Sequence, residues 1–411
     1  TVALEGRLVT PPGVADTHNH LLLGFDDLAV SLDQVQSLDV VRSRIAAFAE
    51  AHPPELDWIC AENALYSVVE NRRPNADDLA GITDRPVFIT TYDQHSVWLN
   101  RPALAKLGIL NGGEIAWGGN PEIDRTTGEP TGWVTDFYTS AMTVDGLAQL
   151  QRDIPMYSPP DRRYRKIVNS LDLARRSGIT TVVERRCRWL NCRCSSAPSA
   201  RDDSPPAPSQ RSTTRGGRRR LPRADHRAIR ETPPQHDRFR LGMVKLYADD
   251  VIEPHTAAML EDYANRPGHR GHTSLEPTEF TRLFVELDRL GYQVHTHATG
   301  DWGGIRLTLD AIEAAQRANG ARDARHGIVH VECLAPDDLP RFCELGVVAA
   351  MQPRHASPPD LVAGTWMENI GEARWDRAWR FRSMIESGAR VTFSSDWQVG
   401  EMDPLVASTA R

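Results

Sequence analysis

Two histidines alternate in Asp16-Thr-His-Asn-His20, directly after the run Pro12-Gly13-Val14-Ala15. In a strand, alternate side chains share a face, so His18 and His20 point the same way and can both ligate a divalent ion at roughly 2.0–2.1 Å. Taken by itself, a His-x-His is more often a pair of surface or turn histidines. Further along, Val294-His-Thr-His-Ala-Thr-Gly-Asp301 sets His295 and His297 on one face of another strand end, and Ile328-Val-His-Val-Glu332 puts His330 at the end of an apolar run. Any one of these is compatible with a satisfied core histidine. Val391-Thr-Phe-Ser-Ser-Asp-Trp397 places Asp396 just after a buried strand, where an unpaired carboxylate is costly. Beside a metal-bound water the same carboxylate can take a proton and deliver it to a leaving amine, which makes Asp396 the candidate general base and acid. Lys245, in Val244-Lys-Leu-Tyr-Ala-Asp249, sits inside an apolar strand that should not welcome an ammonium group. Either it forms a salt bridge to Glu184 or Asp249, or CO₂ converts it to a carbamate that bridges two metals; spacing alone favours the salt bridge.

These side chains need elements that bring them together. Eight short β-type runs alternate with segments of helical periodicity, the pattern of a parallel α/β sheet. The runs are Gly13–Asp16, Val87–Tyr92, Ile179–Glu184, Met243–Tyr247, Tyr292–His297, Gly327–Val331, Val347–Met351 and Arg390–Ser394. Expected helices include Pro160–Ser177, Glu276–Leu290, Trp302–Asn319, Ala335–Leu345 and Trp375–Ser387. The cadence is that of a (β/α)₈ barrel of the TIM type, whose strands converge their C-terminal ends on one mouth. Residues 108–157 interrupt it with Gly-, Trp- and Asp-rich sequence, including the turn-forming Asp124-Arg-Thr-Thr-Gly-Glu-Pro-Thr-Gly132, and read as an insertion after the second strand.

One stretch is unlike the rest. From Arg185 to Gln235 there are 13 Arg, no Lys, seven Pro and three of the six cysteines, Cys187, Cys192 and Cys194, without periodicity. A basic nucleic-acid tail would show aromatic interleaving, and a zinc site paired CxxC spacing; neither is present. Codons exist for which restoring a single base near Arg185 turns this stretch into an ordinary amphipathic helix entry, the pattern left by a compensated frameshift. In the polypeptide as written, the expectation is a disordered loop.

Bulk properties narrow the function classes. A chain of 411 residues with 40% hydrophobic and 25% charged content is long enough for one large barrel, and a net charge of −7 offers no general attraction to nucleic acid or acidic membranes. The expected partner is a small-molecule substrate; a homo-oligomer stays open. Sparse cysteines, no run of 18 apolar residues and no leader pattern point to a cytoplasmic protein.

Collectively the motifs resemble the amidohydrolase superfamily, and within it the YtcJ-like amidohydrolase 3 group that includes N-substituted formamide deformylases. The carriers are Asp16-Thr-His-Asn-His20, Gly128-Glu-Pro-Thr-Gly132, Val244-Lys-Leu-Tyr-Ala-Asp249, His297-Ala-Thr-Gly-Asp301, Ile328-Val-His330, Met351-Gln-Pro353 and Ser394-Ser-Asp-Trp397. The resemblance implies a metal-dependent hydrolase of non-peptide C–N bonds using one or two divalent ions, zinc foremost. His18, His20 and Asp396 would hold the more buried ion, His297 and His330 the second, and Lys245 would be the carbamate bridge, reversing the preference from spacing. His95, in Tyr92-Asp-Gln-His-Ser-Val-Trp-Leu-Asn100, resembles the family's pocket histidine and could polarise a substrate carbonyl; as a plain loop histidine it would cap the next helix. Trp98, Trp117, Trp133, Trp366 and Trp397 are expected mostly to pack loops. Family members carry a β-sandwich built from both termini, of which residues 1–12 would be a remnant, the barrel occupying 13–411. Asp250 stands where the family has Gly. The alternative is a truncated or frameshifted, catalytically inactive metal-binding remnant of such an enzyme.

Overall fold

The computed structural model describes residues 13–21, 24, 28–33, 35–52, 57–69, 72–137, 144–154, 160–184, 243–356 and 365–407. All eight runs expected as strands are strands. The full set is β1 (Val14–Asn19), β2 (Val30–Ser31), β3 (Ile59–Ala64), β4 (Val87–Thr91), β5 (Val97–Leu99), β6 (Asn120–Ile123), β7 (Pro130–Thr135), β8 (Ile179–Glu184), β9 (Met243–Tyr247), β10 (Gln293–Ala298), β11 (Gly327–His330), β12 (Val348–Met351) and β13 (Arg390–Phe393).

Seven of the eight form one parallel arrangement. β9 to β13 pair in sequence order, β1 pairs with β8, and a parallel bridge from Asn19 to Trp397 joins β1 to the chain leaving β13. The resulting order β8-β1-β13-β12-β11-β10-β9 is a TIM-barrel-like α/β arc. No closed barrel is seen among the described residues: β8 and β9 end the arc, and residues 185–242 between them lie outside the description. The expected remnant at 1–12 and the irregular segment 185–235 also lie outside it.

The eighth run corrects the sequence reading. Val87–Thr91 is not the second strand of the arc, which is β8; it lies in a separate six-stranded sheet, order β2-β3-β4-β5-β7-β6, inserted between β1 and β8. Every residue of β4 is buried, with Phe88 packed among Trp58, Trp117 and Phe137 on one side and Val87 and Ile89 among Ile45, Trp98 and Trp133 on the other. A strand covered on both faces reads as a continuous apolar run, indistinguishable in sequence from a barrel strand. The stretch 108–157 supplies the β6–β7 hairpin at this sheet's edge.

The helices of the arc bury one stripe. Phe280, Phe284 and Leu287 on Pro277–Arg289 recur at helical spacing and are buried against β10 to β12 and the helix Leu307–Asn319. The expected helix from Trp302 is divided, a π-helical turn over Asp301–Arg306 preceding Leu307–Asn319. The turn packs closely: a Cβ on Gly303 would meet Ala258 Cβ at 2.4 Å and one on Gly304 would meet Asp249 at 2.6 Å. Trp98, Trp117, Trp133 and Trp366 are packing residues, as expected. Among the described residues no helix is long and apolar enough to cross a membrane.

Candidate metal centre

At the C-terminal ends of the arc strands lies a cavity of 810 Å³ lined by His18, His20, His95, Lys245, His297, His330 and Asp396, the residues singled out from sequence apart from His295. How they meet is set by the seam between β1 and the segment after β13. Asp396 N–H donates to the His18 carbonyl at 3.0 Å and His20 N–H to the Trp397 carbonyl at 2.7 Å. Buried Asp16 reinforces the seam, accepting from Ser395 N at 3.1 Å, Ser395 Oγ at 2.5 Å and Asn19 Nδ2 at 2.7 Å. Asp396 Oδ1 therefore stands 3.0 Å from His18 Nε2 and 3.1 Å from His20 Nε2.

The other donors follow from strand register. His297 on β10 pairs with Tyr247 on β9 and Val329 on β11, which brings its ring to 4.5 Å from that of His330. His330 Nδ1 is 3.8 Å from Asp396 Oδ2. Lys245 on β9 is opposite His295 and lines the cavity, its Nζ 5.2 Å from the Tyr247 ring centre. His295 shares the His297 face but sits one layer deeper, its ring against Gly327, and does not line the cavity. His95 comes from the loop between β4 and β5, in the inserted sheet, with its ring 5.1 Å from that of His297.

Three participants were not assigned from sequence. His355 Nε2 lies 3.6 Å from Asp396 Oδ2 and its Nδ1 3.8 Å from Glu332 Oε1, so His330, Glu332 and His355 form a second group of candidate donors. The motifs through Glu332 and Met351-Gln-Pro353 ran beside them, but no periodicity singled them out. Asp250, noted only as a departure from Gly, faces His95 Nδ1.

Electrostatics suit ligation. Burial, then the Lys245 charge, lowers the His18 pKa well below its ordinary value, and the same causes bring His297 to about 3. Burial likewise lowers His95 and His330, leaving neutral imidazoles. Burial alone would raise Asp396, but the His18 and His20 contacts hold its carboxyl well below the usual range. Both ring nitrogens of His18, Nδ1 of His330 and Oδ1 of Asp396 are buried without a hydrogen bond of acceptable geometry. Polar atoms in that state are costly unless something else engages them. A divalent cation shared by two imidazoles and a carboxylate fits this donor set.

The family model described as "Amidohydrolase family" matches residues 1–410. The chain belongs to the amidohydrolase family. It is 27% identical to Protein LONG AFTER FAR-RED 3 of Arabidopsis thaliana over 98% of this chain and 68% of that protein. It is 24% identical to the N-substituted formamide deformylase of Arthrobacter pascens, over 98% of this chain and 72% of the relative. A solved metal-dependent hydrolase of Pyrococcus horikoshii OT3, itself uncharacterized, shares the fold at a TM-score of 0.63 and 20% identity, covering 97% of this chain and 73% of that one. For an amidohydrolase, donors converging at strand C-terminal ends in one cavity are the arrangement a metal-dependent hydrolase requires.

Proposed function

We propose that this amidohydrolase cleaves a carbon–nitrogen bond, other than a peptide bond, in a small amide-like substrate held in the cavity. The reading rests chiefly on Asp396, whose Oδ1 faces His18 and His20 while its Oδ2 faces His330 and His355. A carboxylate so placed borders both the donor group and the open cavity. The cavity volume suits a ligand of small-molecule size. The formamide deformylase relative supports the C–N class.

His18, His20 and Asp396 would hold the more buried ion, and His297 and His330 a second, with Lys245 as a carbamate between them. Zinc is the ion we assign, for its affinity for imidazole and carboxylate donors. Such an ion would supply polarisation of the substrate carbonyl and a lowered pKa of water. Asp396 then accepts the proton lost by the attacking water and returns it to the leaving amine nitrogen. His95, contributed by the inserted sheet, lines the same cavity with its ring 5.1 Å from that of His297 and would contact the amide group.

Elemental analysis of purified protein together with a panel of formamides and acyl amides tests this. Asp396→Asn should lower turnover by about three orders of magnitude or more with metal retained. Near-normal turnover in that variant would refute the assignment. Metal-free, unstable protein inactive on the whole panel would favour the inactive remnant.

A further inference from the structure

The His95 side chain is held from several sides. Its backbone N–H donates to Asp93 Oδ1 at 3.0 Å and its carbonyl accepts from Phe137 N at 2.9 Å, which fixes the loop between β4 and β5. Its Nδ1 faces Oδ1 of Asp250, and both side chains are buried. The backbone that carries Asp250 is immobilised. Its carbonyl accepts the Thr299 hydroxyl at 2.5 Å, and the preceding Asp249 carboxylate receives backbone N–H groups from Ala258, Thr299 and Gly300 at 2.9–3.1 Å.

A ring nitrogen facing an ionised carboxylate carries the proton, because two acceptors repel. In the neutral imidazole the other nitrogen then keeps its lone pair. His95 Nδ1 is buried, and the residue lines the cavity. Building on the hydrolase reading above, we propose that Asp250 is a positioning residue that locks His95 as the Nδ1–H tautomer. Nε2 then accepts a hydrogen bond from the substrate's amide N–H, and the enzyme selects secondary over tertiary amides. The consequence differs from the sequence expectation for His95, since a ring in this state has no Nε2 proton to offer a carbonyl oxygen. It also gives a role to Asp250, a side chain that a glycine at this position would lack.

The test uses N-benzylformamide and N-benzyl-N-methylformamide with the metal-loaded enzyme. The wild type should favour the secondary amide in kcat/KM by about tenfold or more, the order expected when a buried acceptor loses its donor. Asp250→Leu removes the acceptor opposite Nδ1 at similar volume, so nothing holds the ring proton there and it can move to Nε2. That variant should shrink the secondary-to-tertiary ratio at least fivefold. Exclusion of the N-methyl group by size alone would leave the ratio unchanged in Asp250→Leu, and that result overturns the proposal, as does equal use of both substrates by the wild type. Should Asp250→Leu fail to fold, ¹⁵N NMR of histidine-labelled wild-type protein decides, with His95 assigned by loss of its signals in His95→Gln. A proton on Nδ1 supports the pair; one on Nε2 overturns it. Turnover of neither formamide would count against the hydrolase reading, while the NMR result still decides the Asp250–His95 pair.

Discussion

Asp16→Asn is the sharpest probe of how the centre is held together, because Asp16 touches none of the substrate cavity yet ties β1 to the chain carrying Asp396. Oδ1 accepts from two backbone N–H groups, Ser395 at 3.1 Å and His18 at 3.4 Å; Oδ2 accepts from Ser395 Oγ and Asn19 Nδ2. In the variant the new NH₂ must take the Oδ2 position, since at Oδ1 it would face two fixed donors. There the Ser395 hydroxyl can turn to accept, but Asn19 Nδ2 loses its 2.7 Å acceptor and keeps only the longer contact to Ser395 Oγ at 3.4 Å. Losing one bond, and the charge assistance on the others, costs about 2–4 kcal/mol. Burial raises the Asp16 pKa, so the ionised form is disfavoured in the folded state and replacing it returns part of that sum. The expected net destabilisation is about 1–3 kcal/mol in urea unfolding of metal-free protein. Zinc affinity should fall about 10–100-fold, the usual effect of removing a group that orients metal ligands. Competition titration with a chromophoric chelator measures the second quantity. Wild-type unfolding midpoint and wild-type zinc affinity together would show that the seam does not set the ligand geometry.

Metal-free protein should lose stability as pH falls from 7 to 5. His297 titrates near 3 when folded and near 6.5 when unfolded, so it contributes nothing above 6.5 and opposes folding progressively below, by about 2 kcal/mol at pH 5. His18 and His330 are shifted in the same direction and add to it. Melting curves between pH 5 and 8 that stay flat contradict the assignment of neutral buried imidazoles. Phe284→Ala, which empties a fully buried position between the helix Pro277–Arg289 and the arc, should destabilise by about 3–5 kcal/mol, read by chemical denaturation, with metal stoichiometry unchanged.

The donors were legible in sequence because strand alternation is a local rule. His18 and His20 needed only the two-residue period, and His330 and Asp396 only the ends of apolar runs. Assignment of the strands was equally local, and the error at Val87–Thr91 came from the same source: burial on both faces looks alike in an inserted sheet and in a barrel. Long-range pairing is what the sequence withheld. His95 meets Asp250 across 155 positions and His355 meets Asp396 across 41, and nothing in the spacing of either pair records that the arc brings them together. Asp250 was visible only as a missing glycine, since its partner belongs to a sheet whose separate existence the periodicity did not reveal.

Backbone strain explains why these meetings depend on tertiary structure. Asn63, Gln94, His330 and Asp396 all line the cavity and all have left-handed backbone, with φ of 71°, 67°, 77° and 53°. Residues with a Cβ hold this region at about 1–3 kcal/mol each, so no local preference supplies it. Neighbouring strands do. Val331 N, next to His330, is held by the Ala298 carbonyl, and Asp396 N by that of His18. Each of these turns redirects the chain at a strand end, where an extended continuation would carry the side chain past the cavity. A change that weakens one of the cross-strand hydrogen bonds should therefore release a donor from the centre before it unfolds the arc. Loss of metal affinity at nearly constant melting temperature is the signature to expect at these positions, whereas the core substitution at Phe284 should show the reverse.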